Sequence, residues 1–367
     1  MQTQRRLSLA LIVLALVMLG YWGFTVLAPG KIVVAVDAPL MSERVFDPSD
    51  MDAARLYFEE NPDSRMQLKE MFYNFNPAQS APRFEAAIDE GVQFFVTTQP
   101  SSTLTASAHL FANPGPLIIN TSATSPALTA KDDFMIRIIA DAELEQQTIA
   151  DYINTLPGRN LLILQDGSNA AYTDPALRFF LKQLGTNPRW QVTHAKLQFE
   201  DFKPDNLNEQ MGKPFDALYV LGGDFQASMG NIVQLFHRHH PNAPIVLTPW
   251  ARSNTVFETA GPALRNIVLI SNFPAKSKDP AIKDYLDRFT QRFGYQPMAM
   301  AIMIRQALEI LEQAMAAGHK TPASVKKYLL SGQPLHTSLG QLQLNEFGDR
   351  TQGFYPISDL TKEMTTP

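Results

Sequence analysis

Two hydroxyl-rich turns, each placed at the end of a short apolar run, are the stretches of this chain best suited to hold a small charged molecule. In the first, the run Val92-Gln-Phe-Phe-Val96 passes into Thr97-Thr-Gln-Pro-Ser101-Ser102-Thr103; in the second, Leu117-Ile-Ile119 passes into Thr121-Ser122-Ala123-Thr124-Ser125-Pro126. Ser and Thr hydroxyls donate hydrogen bonds, the small side chains let a ligand approach the backbone, and the first turn of a following helix has N–H groups without intrahelical partners. Together these groups suit a carboxylate. Ser125 can cap and Pro126 can take the first helical position, where a missing N–H costs nothing. Taken singly, any of these Ser and Thr residues is more often a helix cap.

Further along the chain three loops offer different chemistry. Gln165-Asp-Gly-Ser-Asn-Ala-Ala-Tyr172 brings a phenol, Gly222-Gly-Asp224-Phe225 brings a carboxylate beside two glycines, and Thr248-Pro-Trp250-Ala-Arg252 brings an indole and a guanidinium. Trp250 can stack on a flat group or wall a cleft. Asp224 can accept from a cation or cap the helix that follows it, and Arg252 can meet a second acid group or remain on the surface. His237, His239 and His240 resemble a metal cluster, but no carboxylate stands beside them in the motif and they fall at the end of what reads as an exposed helix. We expect no metal and no cofactor. No phosphate-binding loop, nucleophile elbow or His-Glu-x-x-His occurs, so an enzyme has no local anchor in this sequence.

Positioning such turns takes buried strands and covering helices, and the chain alternates between them. Strands are expected at 32–36, 66–75, 92–96, 117–119, 160–164, 190–197, 217–221, 245–247 and 267–270. Helices are expected at 52–60, 82–90, 105–110, 143–156, 174–184, 280–293 and 298–317, several of them ended by Gly. In a parallel sheet the carboxyl ends of strands share one edge, so both hydroxyl turns would line one crevice.

The 367 residues, 45% hydrophobic and 18% charged, can bury a large core and suffice for two lobes. A net charge of -5 provides no basic field for nucleic acid. The absence of cysteine excludes disulfides, thiolate catalysis and a lipidated cysteine. At the N-terminus Arg5 and Arg6 precede an uncharged apolar run over residues 7–28, close to the roughly 20 residues that span a bilayer. A small-residue cleavage site would fall at Ala28, but Pro29 follows it immediately and disfavours processing. We therefore expect a retained membrane anchor with the remainder outside the cytoplasm, a cleaved signal peptide being the alternative.

Four further stretches, met in order, resemble the type I periplasmic binding proteins, in particular the branched-chain amino acid receptors of ABC transporters. They are Thr121 to Thr129 with Phe134-Met-Ile-Arg137; Tyr219 to Phe225 with Met229-Gly230; Phe293-Gly-Tyr-Gln-Pro297 before a long Ala-rich helix; and Gly340 with Asn345-Glu-Phe-Gly-Asp349 and Gly353-Phe354. The resemblance spans residues 31–359. It implies an α/β fold of two doubly wound parallel-sheet lobes joined by three crossings, preceded here by the N-terminal transmembrane helix. Residues 31–141 with 275–334 would form the first lobe and 142–274 with 335–360 the second, with 1–30 as anchor, 361–367 as tail and crossings near 140–143, 272–275 and 335–340.

Such proteins bind a small molecule and pass it to an ABC permease or a membrane sensor, without catalysis. The ligand positions implied are Ser101, Ser102, Thr103, Ser122, Ala123, Thr124, Tyr172, Asp224 and Trp250. Three departures qualify the ligand: the front of the first lobe is short, no Gly follows Tyr172, and Trp250 stands where amino acid receptors place the acid that holds the ligand ammonium. Asp224 stands where relatives often carry an aromatic, so the two roles are exchanged. An envelope protein that keeps the fold and binds a protein partner, its cleft decayed, is the alternative function.

Overall fold

The structure, a computed structural model, describes residues 30–40, 48–222, 227–358 and 360–361. The apolar run at 7–28 and Asp224 lie outside the described residues. Among those described, no helix is long and apolar enough to cross a membrane.

The first lobe is built as strand and helix in alternation: β1 (Ile32–Pro39), α1 (Ser49–Glu60), β2 (Met66–Tyr73), α2 (Pro77–Asp89), β3 (Phe94–Thr97), α3 (Ser101–Ser107), β4 (Leu117–Asn120) and β5 (Met135–Arg137). The strands form one sheet in the order β2-β1-β3-β4-β5, every pair parallel. Both faces are covered, which is why the strands read as continuous apolar runs. Val34 and Val36 enter one buried cluster while Ala35 enters another, and Phe95 and Ile118 likewise turn away from Phe94, Val96, Leu117 and Ile119. On the outer face Phe84, Phe95 and Phe111 pack edge to face with ring centroids 5.2 to 5.9 Å apart.

The second lobe repeats the pattern with α4 (Ala142–Thr155), β6 (Asn160–Asp166), α5 (Ala170–Leu184), β7 (Gln191–Leu197), α6 (Pro204–Met211), β8 (Ala217–Leu221), α7 (Ala227–His239), β9 (Ile245–Leu247), α8 (Asn254–Ala260) and β10 (Ile267–Ser271). Leu161 and Ile163 face one cluster, Leu162 and Leu164 the other, so β6 too is apolar on both sides. After β10 the chain returns to the first lobe as α9 (Pro280–Phe293), α10 (Ala299–Ala316) and α11 (Pro322–Leu329). Arg292 pairs with Glu59 at 2.8 Å, Tyr295 donates to Asp52 at 2.7 Å, and Arg288 and Arg305 both pair with Glu60. These contacts bind α9 and α10 to α1.

The hairpin of β11 (Leu335–Thr337) and β12 (Gly340–Leu342) stays with this lobe. Gln306 on α10 donates to Thr337 Oγ1 and to the Leu339 carbonyl, each at 3.2 Å, and the Ser338 N–H donates to Glu309 at 2.7 Å. Only β13 (Tyr355–Ser358) joins the second sheet, antiparallel to β10, in the order β13-β10-β9-β8-β6-β7. We therefore place the third crossing after Arg350, where the sequence reading put it at 335–340: polar groups of α10 hold the hairpin before the chain can cross.

Two local expectations also differ. The turn after β4 opens only a 3-10 turn, Pro126–Leu128, with the Ser125 hydroxyl accepting from the Ala127 N–H at 3.3 Å. Ala130 then takes a left-handed φ of 56°, which stops a helix from forming. The helix expected at 105–110 instead begins at Ser101 and tightens into a 3-10 turn at Ala108–Phe111.

Candidate ligand cleft between the lobes

The two hydroxyl turns are bound to one another at the carboxyl edge of the first sheet. Ser122 Oγ donates to the carbonyls of Thr98 and Gln99 at 2.7 and 2.8 Å, and the Ser125 N–H donates to Ser101 Oγ at 3.0 Å. Asn120 Oδ1 accepts from the N–H groups of Ser122 and Ala123 at 3.0 and 2.6 Å. Thr103 Oγ1 donates to the Pro100 carbonyl at 3.1 Å. The donors of Ser122, Ala123 and Thr103 are thus engaged in shaping the turns. The hydroxyls of Ser101, Ser102 and Thr124 have no acceptor among the described residues, and these three residues retain donors for a ligand.

Two buried polar clusters hold this arrangement from beneath. Asp37 on β1 is fully buried, pairs with Arg83, and accepts from Thr97 Oγ1 at 3.1 Å and Gln99 Nε2 at 2.8 Å. Burial pushes its carboxyl up against the lowering effect of Arg83. On the other side Arg137 is 1% exposed and its Nε donates to Asp349 Oδ1 at 2.7 Å. The same guanidinium donates to the Ser125 carbonyl at 3.2 Å and Thr129 Oγ1 at 2.8 Å, while Asp349 Oδ2 accepts the Ala130 N–H at 2.8 Å. Neither cluster was identified as part of a site from sequence. Arg137 and Asp349 stood out only within the motifs of the resemblance, and Asp37 reads as an ordinary strand-end polar residue.

The second lobe meets these turns directly. The Ala142 N–H, at the start of α4, donates to the Thr124 carbonyl at 2.9 Å, and α3 lies against α5 across the interlobe boundary. Tyr172 on α5 and Trp250, in a 3-10 turn at Pro249–Ala251, stand edge to face with ring centroids 6.0 Å apart, both nearly buried. The Tyr172 hydroxyl donates to Glu145 on α4. Burial, then the Glu145 charge, raises the Tyr172 phenol well above its usual range. Arg252 lies over the Phe273 ring, 4.8 Å from its centroid. Asp166, at the end of β6, is spent on local structure, accepting the N–H groups of Ser168 in the loop before Tyr172 and of Phe199 after β7 at 3.1 and 3.2 Å.

The described candidates therefore converge on one boundary, hydroxyls from the first lobe and aromatics from the second. The histidine trio does not join them: His240 faces the Met211 carbonyl, His239 faces Asn208, and His237, which the sequence reading left exposed, is 8% exposed because α7 turns it inward. Among the described residues no His, Cys, Asp and Glu group could hold a metal.

A family model for periplasmic binding proteins matches residues 67–353. The chain belongs to that family. It is 22% identical over 285 residues to Leu/Ile/Val-binding protein homolog 3 of Brucella melitensis, covering 77% of this chain and 76% of that one. In structure it is similar to a leucine binding protein from Thermotoga maritima (TM-score 0.75, 16% identity, 88% of this chain and 94% of that one). It is also similar to an ABC transporter solute binding protein from Rhodopseudomonas palustris in complex with 3,4-dihydroxybenzoic acid (TM-score 0.77, 15% identity, 89% and 93%). These likenesses establish the fold of two lobes around an interlobe boundary, and relatives of this family are binding proteins and not enzymes.

Proposed function

We propose that this periplasmic binding protein captures a small polar or amino-acid-like ligand between its lobes and presents it to an ABC-type permease or a membrane sensor. The observation that carries the reading is the meeting of unspent hydroxyls at Ser101, Ser102 and Thr124 with the Tyr172–Trp250 pair across one boundary. Hydroxyls suit a carboxylate or amide, and the ring pair suits an apolar or flat body. The Brucella relative is named for leucine, isoleucine and valine, and the Rhodopseudomonas neighbour holds an aromatic carboxylate. Both ligand types present an acid group and an apolar body, the combination this boundary offers. A thermal-shift screen of amino acids, aromatic carboxylates and amides on the whole chain tests it, a ligand-dependent rise in melting temperature being the expected result.

We further propose that the protein works on the periplasmic face of the inner membrane, held there by the run at 7–28. Arg5, Arg6 and Pro29 support retention of that segment. Intact-mass measurement of the membrane fraction is expected to return the uncleaved chain, and a soluble chain beginning near Pro29 contradicts it.

A further inference from the structure

Beside Tyr172 lies a buried carboxylate that the binding residues so far described do not include. Glu145 is fully buried, on the first turns of α4, one helical turn after the Ala142 N–H that bonds the Thr124 carbonyl. Its Oε1 accepts both the Tyr172 hydroxyl and Gln146 Nε2, the latter at 2.7 Å, and Gln146 Oε1 in turn accepts the Tyr219 hydroxyl at 2.6 Å. Its Oε2 is buried and accepts nothing. No lysine or arginine among the described residues pairs with it. Edge to face with the Tyr172 ring, Trp250 Nε1 is a second buried polar atom that forms no well-aligned hydrogen bond, and the Tyr172 hydroxyl is the acceptor it approaches.

Buried polar atoms are nearly always paired, because water is lost on burial and nothing replaces it, so an orphaned carboxylate oxygen at an interlobe boundary, with a poorly satisfied indole N–H beside it, requires an explanation. A bound zwitterion supplies one. Resting on the solute-binding reading above, we propose that Glu145 is the counter-charge for the ammonium end of an amino-acid ligand, the role that the sequence reading gave to Asp224. The carboxylate end then meets the hydroxyls of Ser101, Ser102 and Thr124, and the side chain lies against the Trp250 ring. With the lobes closed Glu145 Oε2 is covered, and hinge opening about the crossings gives the ligand access.

Burial lifts the Glu145 carboxyl to about 7. The titratable groups facing it are Asp141, which caps α4 by accepting the Leu144 N–H, and the phenols of Tyr172 and Tyr219, both far too weakly acidic to ionise near neutrality. An ammonium that ionises Glu145 therefore drives a proton into solution, and calorimetry in buffers of different ionisation enthalpy reads that proton.

The test is isothermal titration of the full chain and of Glu145→Gln with two ligand pairs differing only in the ammonium: L-phenylalanine against 3-phenylpropionate, and L-leucine against 4-methylpentanoate. We expect at least one amino acid to bind more tightly than its deaminated partner, with proton release. In Glu145→Gln that preference is expected to fall on the order of 10- to 100-fold, while the deaminated ligand changes little and the melting temperature of the ligand-free chain does not fall. A preference that survives in Glu145→Gln, or disappears in Asp224→Asn instead, overturns the assignment. So does equal binding of both members of each pair, although the solute-binding reading then stands. If none of the four ligands nor 3,4-dihydroxybenzoate binds, the solute-binding reading fails and the assignment of Glu145 fails with it.

Discussion

Thr124 is the residue on which the first-lobe half of the boundary most depends. It is 1% exposed, its carbonyl is bonded to α4, and its hydroxyl is left unspent where Ser122 and Thr103 have committed theirs. Thr124→Val keeps the shape and removes the donor, so affinity for a carboxylate ligand is expected to fall by about 1–3 kcal/mol with the melting temperature of the free chain nearly unchanged. Unchanged affinity in calorimetry reduces Thr124 to a turn residue. Glu145 makes a second prediction at this scale. An acid whose folded pKa rises from 4.5 to about 7 binds its proton more tightly in the folded chain. Its contribution is fully present below pH 4.5 and is lost as pH rises through 7, by about 3 kcal/mol at most. Glu145→Gln should flatten that fall in a pH series of melting temperatures, and an unaltered slope contradicts the buried, cation-free carboxylate. Sequence could point to the hydroxyl turns because their residue types are local. It could not tell which hydroxyls remain available, since that depends on Asn120, Thr98 and Gln99 arriving from neighbouring strands. Glu145 was invisible for a similar reason: an acid in the first turn of a helix reads as a solvated partner of the helix dipole.

Among the elements, the turn after β4 is held less by its own sequence than by an ion pair reached across a long stretch of chain. Arg137 on β5 and Asp349 beyond the β11–β12 hairpin pair at 2.6 Å, and each also bonds the turn. Removing one partner leaves a buried charge alone, which typically costs 3–5 kcal/mol, roughly enough to unfold a marginal domain. We expect Asp349→Ala to lose about that much in denaturant unfolding and to weaken ligand binding as well, because the Thr124 turn loses its support. A loss below about 1 kcal/mol contradicts the anchoring role. The parallel strands were legible because apolar runs of four to eight residues flanked by turn signals have few other readings. The helix expected after Pro126 was not formed, although its cap and proline are in place, since capping signals mark where a helix can start and not whether the chain continues it. The third crossing was misplaced because nothing local reveals that Gln306 and Glu309 hold the hairpin on α10.

At the scale of the whole molecule, the three crossings converge on one arginine. Arg350 donates to the Ile138 carbonyl in the first crossing and to the Asn272 carbonyl in the second, each at 3.2 Å, and lies at the start of the third. Burial without a carboxylate partner lowers its guanidinium to about 10. Arg350→Ala should loosen the hinge, so that the ligand-free chain shows a larger radius of gyration in X-ray scattering; an unchanged radius contradicts the clamp. The central claim is that the lobes close on a small molecule. Its most direct test is the melting temperature of the full chain titrated with branched-chain amino acids, aromatic carboxylates and amides, run beside Trp250→Ala. The account predicts that a ligand carrying an acid or amide group and an apolar or flat body stabilises the wild-type chain by about 2.7 kcal/mol at 100 times its Kd, and that Trp250→Ala diminishes the effect. No stabilisation by any member of the three classes contradicts it and turns the molecule into a fold-retaining partner of another envelope protein.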